Sequence, residues 1–557
     1  MSHVTPRRAR RVLLGGALFV ALLVAALWWR AVAVTRRLLR EDAPASIAEK
    51  SENVYRVAVG RVGFNPLSRR LSVDTITVTT NDSVNAARRV PRTGLRLAFR
   101  DCAISGVRVL KLTFRQGLDA ETFGCTAVTA AVDVPRGAAA APDSSPAQVP
   151  ERAFFELQRS LRLPASAPQV RVRRIDFPQV ALDFRLARAR LQLARLRWLM
   201  TGFLVDPADS TAAARPLFSD SVEIGAAHFV GQLDSVTAIT VEALRLSLSD
   251  STLDIGGIAF APSRSPRSSG TLVRTAATRI AARGLDVGVF MLRQGLRARR
   301  VQLDSLRVDV LSDQRRPDKP TVERRRTPQA WIAEIERGIW VDSVVIQGGE
   351  IVYREHKPRH AKPAVMTFGR LGVVATNVRH IAGRRSTRDR VTLSASAWLQ
   401  NAGKLDAQFV VPLDAPSFTM TYRGRLGAMP ATGFNAFIEE VLPFRLDKGR
   451  VESITFAATV TNGVARGTVV PRYRELAVQV TGEGSRGILG AGGVIGDAAR
   501  GIATAVGNWT QVRPDNPGAG EASPRAGPIV HVFTPDQTLP AFLWQGLRGG
   551  LLAVVRK

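Results

Sequence analysis

The chain has few of the residues that catalytic and metal-binding sites usually contain. Its 557 residues include only two cysteines and six histidines. Two cysteines cannot supply a zinc site with four cysteine ligands. The sequence also lacks the G-x-S-x-G turn of α/β-hydrolases and the P-loop of nucleotide-binding enzymes. We therefore predict a protein that is not an enzyme, with no catalytic residue, no metal and no cofactor.

Two short motifs come nearest to a chemical site, and neither has the surroundings that its chemistry requires. His356 and His360 have the i, i+4 spacing of two ligands on a helix, but Pro358 opposes a helix interior and no glutamate follows His356. The G-x-G-x-x-G pattern that begins at Gly482 follows a strand-like segment, but a glycine-rich run comes next instead of a helix. We predict a solvated loop at the histidines and no nucleotide site at the glycines.

Negative charge is scarce relative to positive charge. The chain has 78 lysines and arginines against 47 acidic residues, a formal charge of +31. The arginines are spread from end to end, and aromatic residues make up only 6% of the sequence. Nucleic-acid-binding surfaces more often concentrate charge and interleave it with stacking aromatics. We therefore predict an arginine-rich solvent-exposed surface and no nucleic-acid partner, although such charge also favours anionic lipid headgroups by ~1 kcal/mol per residue.

One apolar run stands out at residues 12–34, where only Arg30 interrupts it. Because about 20 apolar residues cross a bilayer as a helix, we predict an uncleaved transmembrane anchor with a short cytoplasmic tail before it and the bulk of the chain exported. A cleaved signal peptide is the alternative, since residues 31–33 have a small-x-small pattern. The run at 12–29 is longer than the usual ~7–15 residues of a signal peptide, and Trp28 and Trp29 fit cleavage poorly.

Alternation of apolar and polar residues dominates the remainder of the chain. The stretch 391–399 is apolar at every second residue, and turn-forming residues separate many such stretches. This period of two is typical of half-buried strands, so we predict a mostly β protein. Short helices are predicted at 153–163, 328–339 and 434–442 from their i, i+3, i+4 apolar spacing. A Gly348-Gly349 pair between alternating runs predicts a β-hairpin at 340–354.

Five stretches along the chain resemble one family. They are VGRVGFNPLSRRLSVDTITVTT at 59–80, VDSVVIQGGEIVYREH at 341–356, VMTFGRLGVVATNV at 365–378, the 434–480 segment, and the closing NPGAGEASPRAGPIVHVFTPDQTLPAFLWQGLRGGL at 516–551. These segments are similar to the AsmA-like envelope proteins of Gram-negative bacteria, which include the TamB group. The resemblance covers most of the chain and carries no catalytic residue.

The resemblance implies an extended, twisted, groove-like β-sheet of repeated strands with a few short helices and one N-terminal transmembrane helix. It implies a single-pass inner-membrane protein whose bulk lies in the periplasm. Such a groove would shield acyl chains, which predicts phospholipid transport or outer-membrane biogenesis and envelope proteins as further partners. The residues expected to line the groove are Leu244, Leu246, Leu248, Val344, Ile346, Ile351 and Tyr353.

Two other functions remain open at the level of sequence. The same sheet could be a periplasmic scaffold or assembly factor for envelope proteins, without lipid carriage. The arginine-rich surface could instead bind an anionic polymer, with an affinity that falls steeply with salt.

The two cysteines, Cys102 and Cys125, each lie in a strand-like stretch. In an exported domain a disulfide between them would contribute on the order of 3 kcal/mol. Two buried thiols are the alternative, because sequence does not show whether the strands are neighbours.

Composition changes suggest the organisation of the chain. The predicted segments are an N-tail (1–11), the anchor (12–34), a first β-unit (35–136), a linker with a short helix (137–165), central β-repeats (166–312), a charged loop with a short helix (313–339), an AsmA-like β-unit (340–483), and a Gly-rich segment, coil and apolar C-terminal helix (484–557).

Overall fold

A computed structural model describes most of the chain. The described residues are 29–30, 32–33, 36–37, 40–41, 43–65, 67–87, 94–108, 111, 117–133, 169–185, 190–206, 215–232, 237–262, 271–286, 295–313, 327–333, 338–356, 362–380, 389–441, 444–480, 512–534 and 539–556. They are mostly strand, which confirms the predicted β class. The chain divides into two compact units, Met1–Ser235 with Thr240–Leu253, and Val236–Ile239 with Asp254–Lys557.

The strands in or near the first unit are β1 (Tyr55–Val59), β2 (Val62–Asn65), β3 (Arg70–Thr80), β4 (Gly94–Ser105), β5 (Gly117–Asp133), β6 (Gln169–Arg185), β7 (Arg190–Val205), β8 (Ser221–Gln232) and β9 (Thr237–Ser247). The remaining strands are β10 (Thr252–Pro262), β11 (Thr271–Arg283), β12 (Gly295–Asp304), β13 (Arg307–Asp313), β14 (Gly338–His356), β15 (Ala364–His380), β16 (Val391–Leu399), β17 (Gly403–Val411), β18 (Met420–Leu426), β19 (Met429–Pro430), β20 (Phe444–Thr461), β21 (Val464–Val480) and β22 (Gly527–Val532).

The described residues include five α-helices, four of which have at most eight residues. They are α1 (Ala43–Lys50), α2 (Asp82–Ala86), α3 (Pro328–Ala333), α4 (Asn435–Val441) and α5 (Leu539–Val555). The helix predicted at 328–339 is therefore too long, because β14 already begins at Gly338, whereas α4 occupies the segment predicted at 434–442. The helix predicted at 153–163 and nearly all of the predicted anchor lie outside the described residues. Among the described helices, none combines the length and apolar character that crossing a bilayer requires.

In the first unit, β3 to β8 pair side by side. β5 and β6 are parallel, and the other neighbouring pairs are antiparallel. One lateral row of paired residues is wholly apolar across these six strands: Leu71, Ile104, Phe123, Ile175, Met200 and Val222. Four of the six are at most 9% exposed. The alternation seen in the sequence therefore becomes one apolar face of the sheet.

The disulfide lies within that face. Cys102 on β4 pairs in register with Cys125 on β5, and the two sulfurs are bonded. Both residues are 3% exposed. Neighbouring Phe123 packs edge-to-face against Phe177, with ring centroids 5.4 Å apart.

In the second unit, β14 is one continuous 19-residue strand, so the predicted hairpin at Gly348-Gly349 is wrong. The two glycines form a bulge instead, with Gly348 at φ +64°. β12 and β13 run parallel to β14 on either side of this point, and the Ser305 amide donates to the Gln347 carbonyl there. A glycine pair specifies a hairpin only where its two flanking strands pair with each other, and here they pair with other strands.

Helix α5 packs on the apolar face of β18 and β20–β22. Phe542 lies 5.4 Å from Phe418 and 5.6 Å from Phe533 between ring centroids. Gly550 meets the backbone of β22 so closely that a Cβ there would lie 2.8 Å from the Pro528 carbonyl oxygen. Each glycine within a helix lowers the intrinsic stability of that helix by about 1 kcal/mol. Packing of α5 against the sheet has to offset this cost.

Removing the disulfide should destabilise the protein. The bond closes a loop between residues 23 positions apart. We expect reduction to lower the free energy of unfolding by about 3 kcal/mol, because the unfolded chain regains loop freedom. Urea unfolding of the full chain with and without a phosphine reductant measures this. A Cys102→Ala/Cys125→Ala variant should be insensitive to the reductant, and an unchanged wild-type midpoint would contradict the prediction.

A second test separates two adjacent glycines of α5. We expect Gly550→Ala to destabilise the protein by about 1–3 kcal/mol, since its Cβ would lie 2.5 Å from a methyl carbon of Val469. Gly549→Ala meets nothing within 4 Å and should be neutral or stabilising by about 1 kcal/mol. Urea unfolding and limited proteolysis near residue 535 would measure both. Equal effects from the two substitutions would show that α5 does not dock through Gly550.

Candidate functional site

The candidate site is the apolar face of the second unit, built from lateral rows of paired residues. The first row crosses ten strands through Ala282, Val301, Val344, Ala375, Leu393, Phe409, Tyr422, Ala458, Gly467 and Ile529. The second row crosses the same strands through Ile280, Leu303, Ile346, Val373, Ala395, Ala407, Gly424, Phe456, Val469 and Gly527. Neither row contains a charged side chain, and the one hydroxyl group in the two rows belongs to Tyr422.

The opposite face of the same strands is polar. A row adjacent to the first one runs through Arg283, Arg300, Ser343, Thr376, Thr392, Val410, Thr421, Thr459, Arg466 and Val530. Hydroxyl and guanidinium groups dominate it. Because side chains alternate between faces along a strand, polar residues concentrate on this face, which also carries valines such as Val374, Val410 and Val530.

Ion pairs fix some of the arginines on this polar face. Arg283 donates from Nη1 to Asp254 Oδ2 at 2.8 Å, and Arg279 also donates to this carboxylate. Hydrogen bonding from Arg283 lowers the pKa of Asp254, outweighing the partial desolvation that raises it, and Arg279 lowers it further. The carboxylate therefore stays ionised at neutral pH and orients two neighbouring arginines.

Four of the seven predicted groove residues lie on this apolar face. Val344 and Ile346 belong to its two rows, and all four are half-buried. Ile351 and Tyr353 follow on the same strand, where they pair with Phe368 and Met366 of β15 and with Val308 and Val310 of β13. The structure thus surrounds all four predicted residues with apolar neighbours in register.

The other three predicted residues belong to the first unit. Leu244 and Leu246 lie on β9, and Leu248 follows that strand, where its amide donates to the Val222 carbonyl oxygen. All three are half-buried. Lipid contact by these seven residues remains a prediction.

Burial changes along the apolar face. Val301, Leu303, Val344 and Ile346, at the β11–β14 end, are half-buried. At the other end, Ile529 is fully buried beneath α5. Helix α4 contributes Phe437, whose ring centroid lies 6.5 Å from Tyr353 and 5.9 Å from Trp544 of α5. Helices α4 and α5 therefore cover the β18–β22 end of the apolar face, and α4 also packs near β14 through Tyr353.

Sequence reasoning missed the residues beneath the helices, Tyr422 above all. It is 3% exposed, and its hydroxyl has no hydrogen-bond partner among the described atoms. A Cβ on Gly546 of α5 would lie 3.7 Å from that hydroxyl. Burial raises the pKa of Tyr422 to about 12. The alternation around Met420 and Tyr422 indicated a strand, but no local signal showed that a distant helix covers it.

Groups suited to metal binding or catalysis are sparse in the described parts of the chain. No cluster of three histidine, cysteine, aspartate or glutamate side chains there could hold a metal ion. Among the residues that the structure describes, His380 and Asp414 form a buried acid–base pair, with Nδ1 and Oδ1 2.6 Å apart. This pair joins the end of β15 to the segment that follows β17.

Comparison with known proteins adds no family assignment. No protein-family model and no curated protein sequence matches this chain.

The buried tyrosines predict a loss of stability at alkaline pH. Burial likewise raises the pKa of Tyr473 to about 12. An unfolded tyrosine ionises near pH 10, so between pH 10 and 12 the unfolded state releases protons that the folded state keeps. The free energy of unfolding should therefore fall over this window, by on the order of 2 kcal/mol per tyrosine.

Urea unfolding between pH 9 and 12 measures this fall. The double variant Tyr422→Phe/Tyr473→Phe should remove most of it while leaving stability at pH 7 little changed or higher, because two buried hydroxyls without partners are lost. If the free energy of unfolding fell equally steeply with pH in the variant and the wild type, groups other than these two tyrosines would be responsible.

Proposed function

We propose that the protein is a membrane-anchored envelope protein that holds acyl lipids on its apolar face and takes part in phospholipid transport or outer-membrane biogenesis. The single observation that carries the proposal is the pair of apolar rows that cross ten strands without a charged side chain. The resemblance of the chain to AsmA-like envelope proteins and its predicted N-terminal anchor support a proposed location of this face in the periplasm beside the inner membrane.

The physical basis is non-directional contact. An acyl chain gains ~0.8 kcal/mol for each CH₂ that it buries. Neighbouring strands are ~4.8 Å apart, so the five spacings of the rows from β11 to β17, outside the end that α5 covers, make an apolar path of roughly 25 Å. Since no polar group fixes the register of an acyl chain on such a path, a lipid can move along it without chemistry. The half-buried β11–β14 end is where the face offers contact area to a ligand.

The polar face supports the same proposal. Its hydroxyls and ion-paired arginines keep one side of the sheet hydrated while the other stays apolar. A sheet with this division can lie in the aqueous periplasm and carry a water-insoluble ligand on a single side.

A scaffold or assembly role for envelope proteins is the second candidate. The observation that favours it is the burial of the β18–β22 end under α5, which makes that part of the face a packed core. In that case the apolar rows stabilise the fold, and envelope proteins bind the polar face.

Two adjacent valines of β15 provide a matched test. Val373 belongs to the second apolar row, whereas Val374 points to the polar face and is 46% exposed. We expect Val373→Asp and Ile346→Asp to reduce co-purifying phospholipid at least tenfold, because each places a carboxylate in the acyl path. Val374→Asp should retain wild-type loading.

Native mass spectrometry with lipid extraction on the full chain makes the measurement, and thermal unfolding checks that each variant is folded. Lipid-free wild-type protein, or equal loss in all three variants, would contradict acyl carriage. Crosslinking that captures envelope proteins on a lipid-free wild type would support the scaffold role instead.

A further inference from the structure

The first unit contains a cavity on the side of its sheet opposite Leu71 and Ile104. Its volume is about 640 Å³. Its floor is one lateral row of small residues, Gly63 on β2, Ser72 on β3 and Ala103 on β4. Ser72 Oγ donates to the Gly63 carbonyl at 3.3 Å, so the hydroxyl is held against the floor. No side chain in this row is larger than serine.

Four arginines line the hollow. They are Arg36, Arg40, Arg61 and Arg70, and all four residues are exposed. Two of them come from the segment that follows the predicted anchor, and two from the β2–β3 region. Two carboxylates, Asp74 and Asp101, also line the cavity, so positive charge is in excess.

The two carboxylates already have partners. Asp74 accepts a hydrogen bond from the Arg61 amide at 2.7 Å and from Arg61 Nε at 3.2 Å. Asp101 accepts from the Thr126 hydroxyl at 3.2 Å. Arg40 uses Nε to donate to the Gly60 carbonyl at 2.9 Å. Because a guanidinium has five donors, this bond fixes the Arg40 side chain while other N–H groups remain for an anion.

The cavity is close to the predicted membrane surface. Arg36 and Arg40 follow the predicted end of the anchor at residue 34 by two and six residues, a reach of at most about 20 Å. The β2–β3 turn next to Arg70 also presents Leu67, which is 88% exposed. Asn65 Oδ1 accepts from the amides of Leu67 and Ser68 at 3.0 and 3.2 Å, so the turn holds this leucine outward. An exposed apolar side chain beside basic residues is typical of a bilayer-contacting surface.

We propose that this cavity binds the phosphate of an anionic phospholipid headgroup in the membrane that carries the anchor. The inference rests on the anchored placement proposed above but not on acyl carriage by the second unit. Guanidinium groups suit a phosphate because their planar N–H pairs match two of its oxygens. The headgroup site would hold the first unit against the bilayer, with Leu67 at the headgroup level.

The test uses the full chain in neutral detergent micelles. Binding of phosphatidylglycerol, of diacylglycerol with matched acyl chains, and of inorganic phosphate is measured by native mass spectrometry. We expect phosphatidylglycerol to bind in preference to both other probes. Arg40→Gln/Arg70→Gln should weaken phosphatidylglycerol binding roughly 30-fold, from ~1 kcal/mol per basic residue at a lipid surface.

Two further variants separate the site from general charge. Arg56→Gln/Arg96→Gln removes the same charge from exposed positions of β1 and β4 outside the cavity and should change binding less than threefold. Ser72→Phe fills the hollow without changing any charge and should weaken binding as much as the arginine pair does.

Several outcomes would overturn the headgroup site. An equal loss of phosphatidylglycerol binding in the two arginine double variants would show that net charge, and not the cavity, determines binding. If diacylglycerol bound as tightly as phosphatidylglycerol, binding would depend on acyl contact and not on the headgroup. If inorganic phosphate bound as tightly, the cavity would be a site for free anions. Failure of the proposed function is seen separately, because Val373→Asp would then load lipid normally while the preference for phosphatidylglycerol over diacylglycerol persists.

Discussion

The lateral register of the strands is the constraint on which the remainder of this structure depends. Backbone hydrogen bonds fix which residues lie opposite one another, so the alternation within each strand becomes rows across many strands. A slip of one residue in β14 would move Val344 and Ile346 to the polar face and interrupt both rows. The bulge between Ile346 and Gly349 is followed by one between Gly369 and Gly372 of β15. Local irregularities are thus taken up by the neighbouring strand, and the apolar rows continue beyond them.

Arginine keeps the two faces chemically distinct. In the first unit Asp183 accepts hydrogen bonds from Arg185 and Arg190, as Asp254 does from two arginines in the second. Hydrogen bonding from Arg190 lowers the pKa of Asp183, so the pair stays charged at neutral pH. Exposed pairs of this kind contribute little to stability, with a median of ~0–1 kcal/mol. Their main effect is to keep one face hydrated, while the other face presents the rows without a charged side chain.

Sequence periodicity predicted the elements well and their partners poorly. The alternating stretch 391–399 is β16 without adjustment, and the apolar C-terminal segment is α5. Periodicity depends only on neighbours along the chain, so it identified these elements. The Gly348-Gly349 prediction failed because the partners of β14 on either side, β12 and β15, are set by tertiary pairing.

Sites assembled from distant residues escaped prediction for the same reason. The basic cavity joins arginines at 36 and 40 to strand residues as far away as 103, and small residues such as Gly63 have no local signature of a hollow. The cysteine pairing was left open by the sequence and follows from the register of β4 with β5. Local pattern determines which face a residue takes, whereas register determines its neighbours.

Coverage by α5 bears directly on how the apolar face could work. The helix meets the sheet through Phe542, Gly546 and Gly550, almost entirely by apolar and backbone packing. An acyl chain on the same rows would use the same non-directional contact, without hydrogen bonds to exchange. Helix and lipid are therefore chemically equivalent occupants, and what distinguishes them is covalent attachment to the chain. In the proposed function, α5 closes the β18–β22 end permanently and leaves the half-buried β11–β14 end to the lipid.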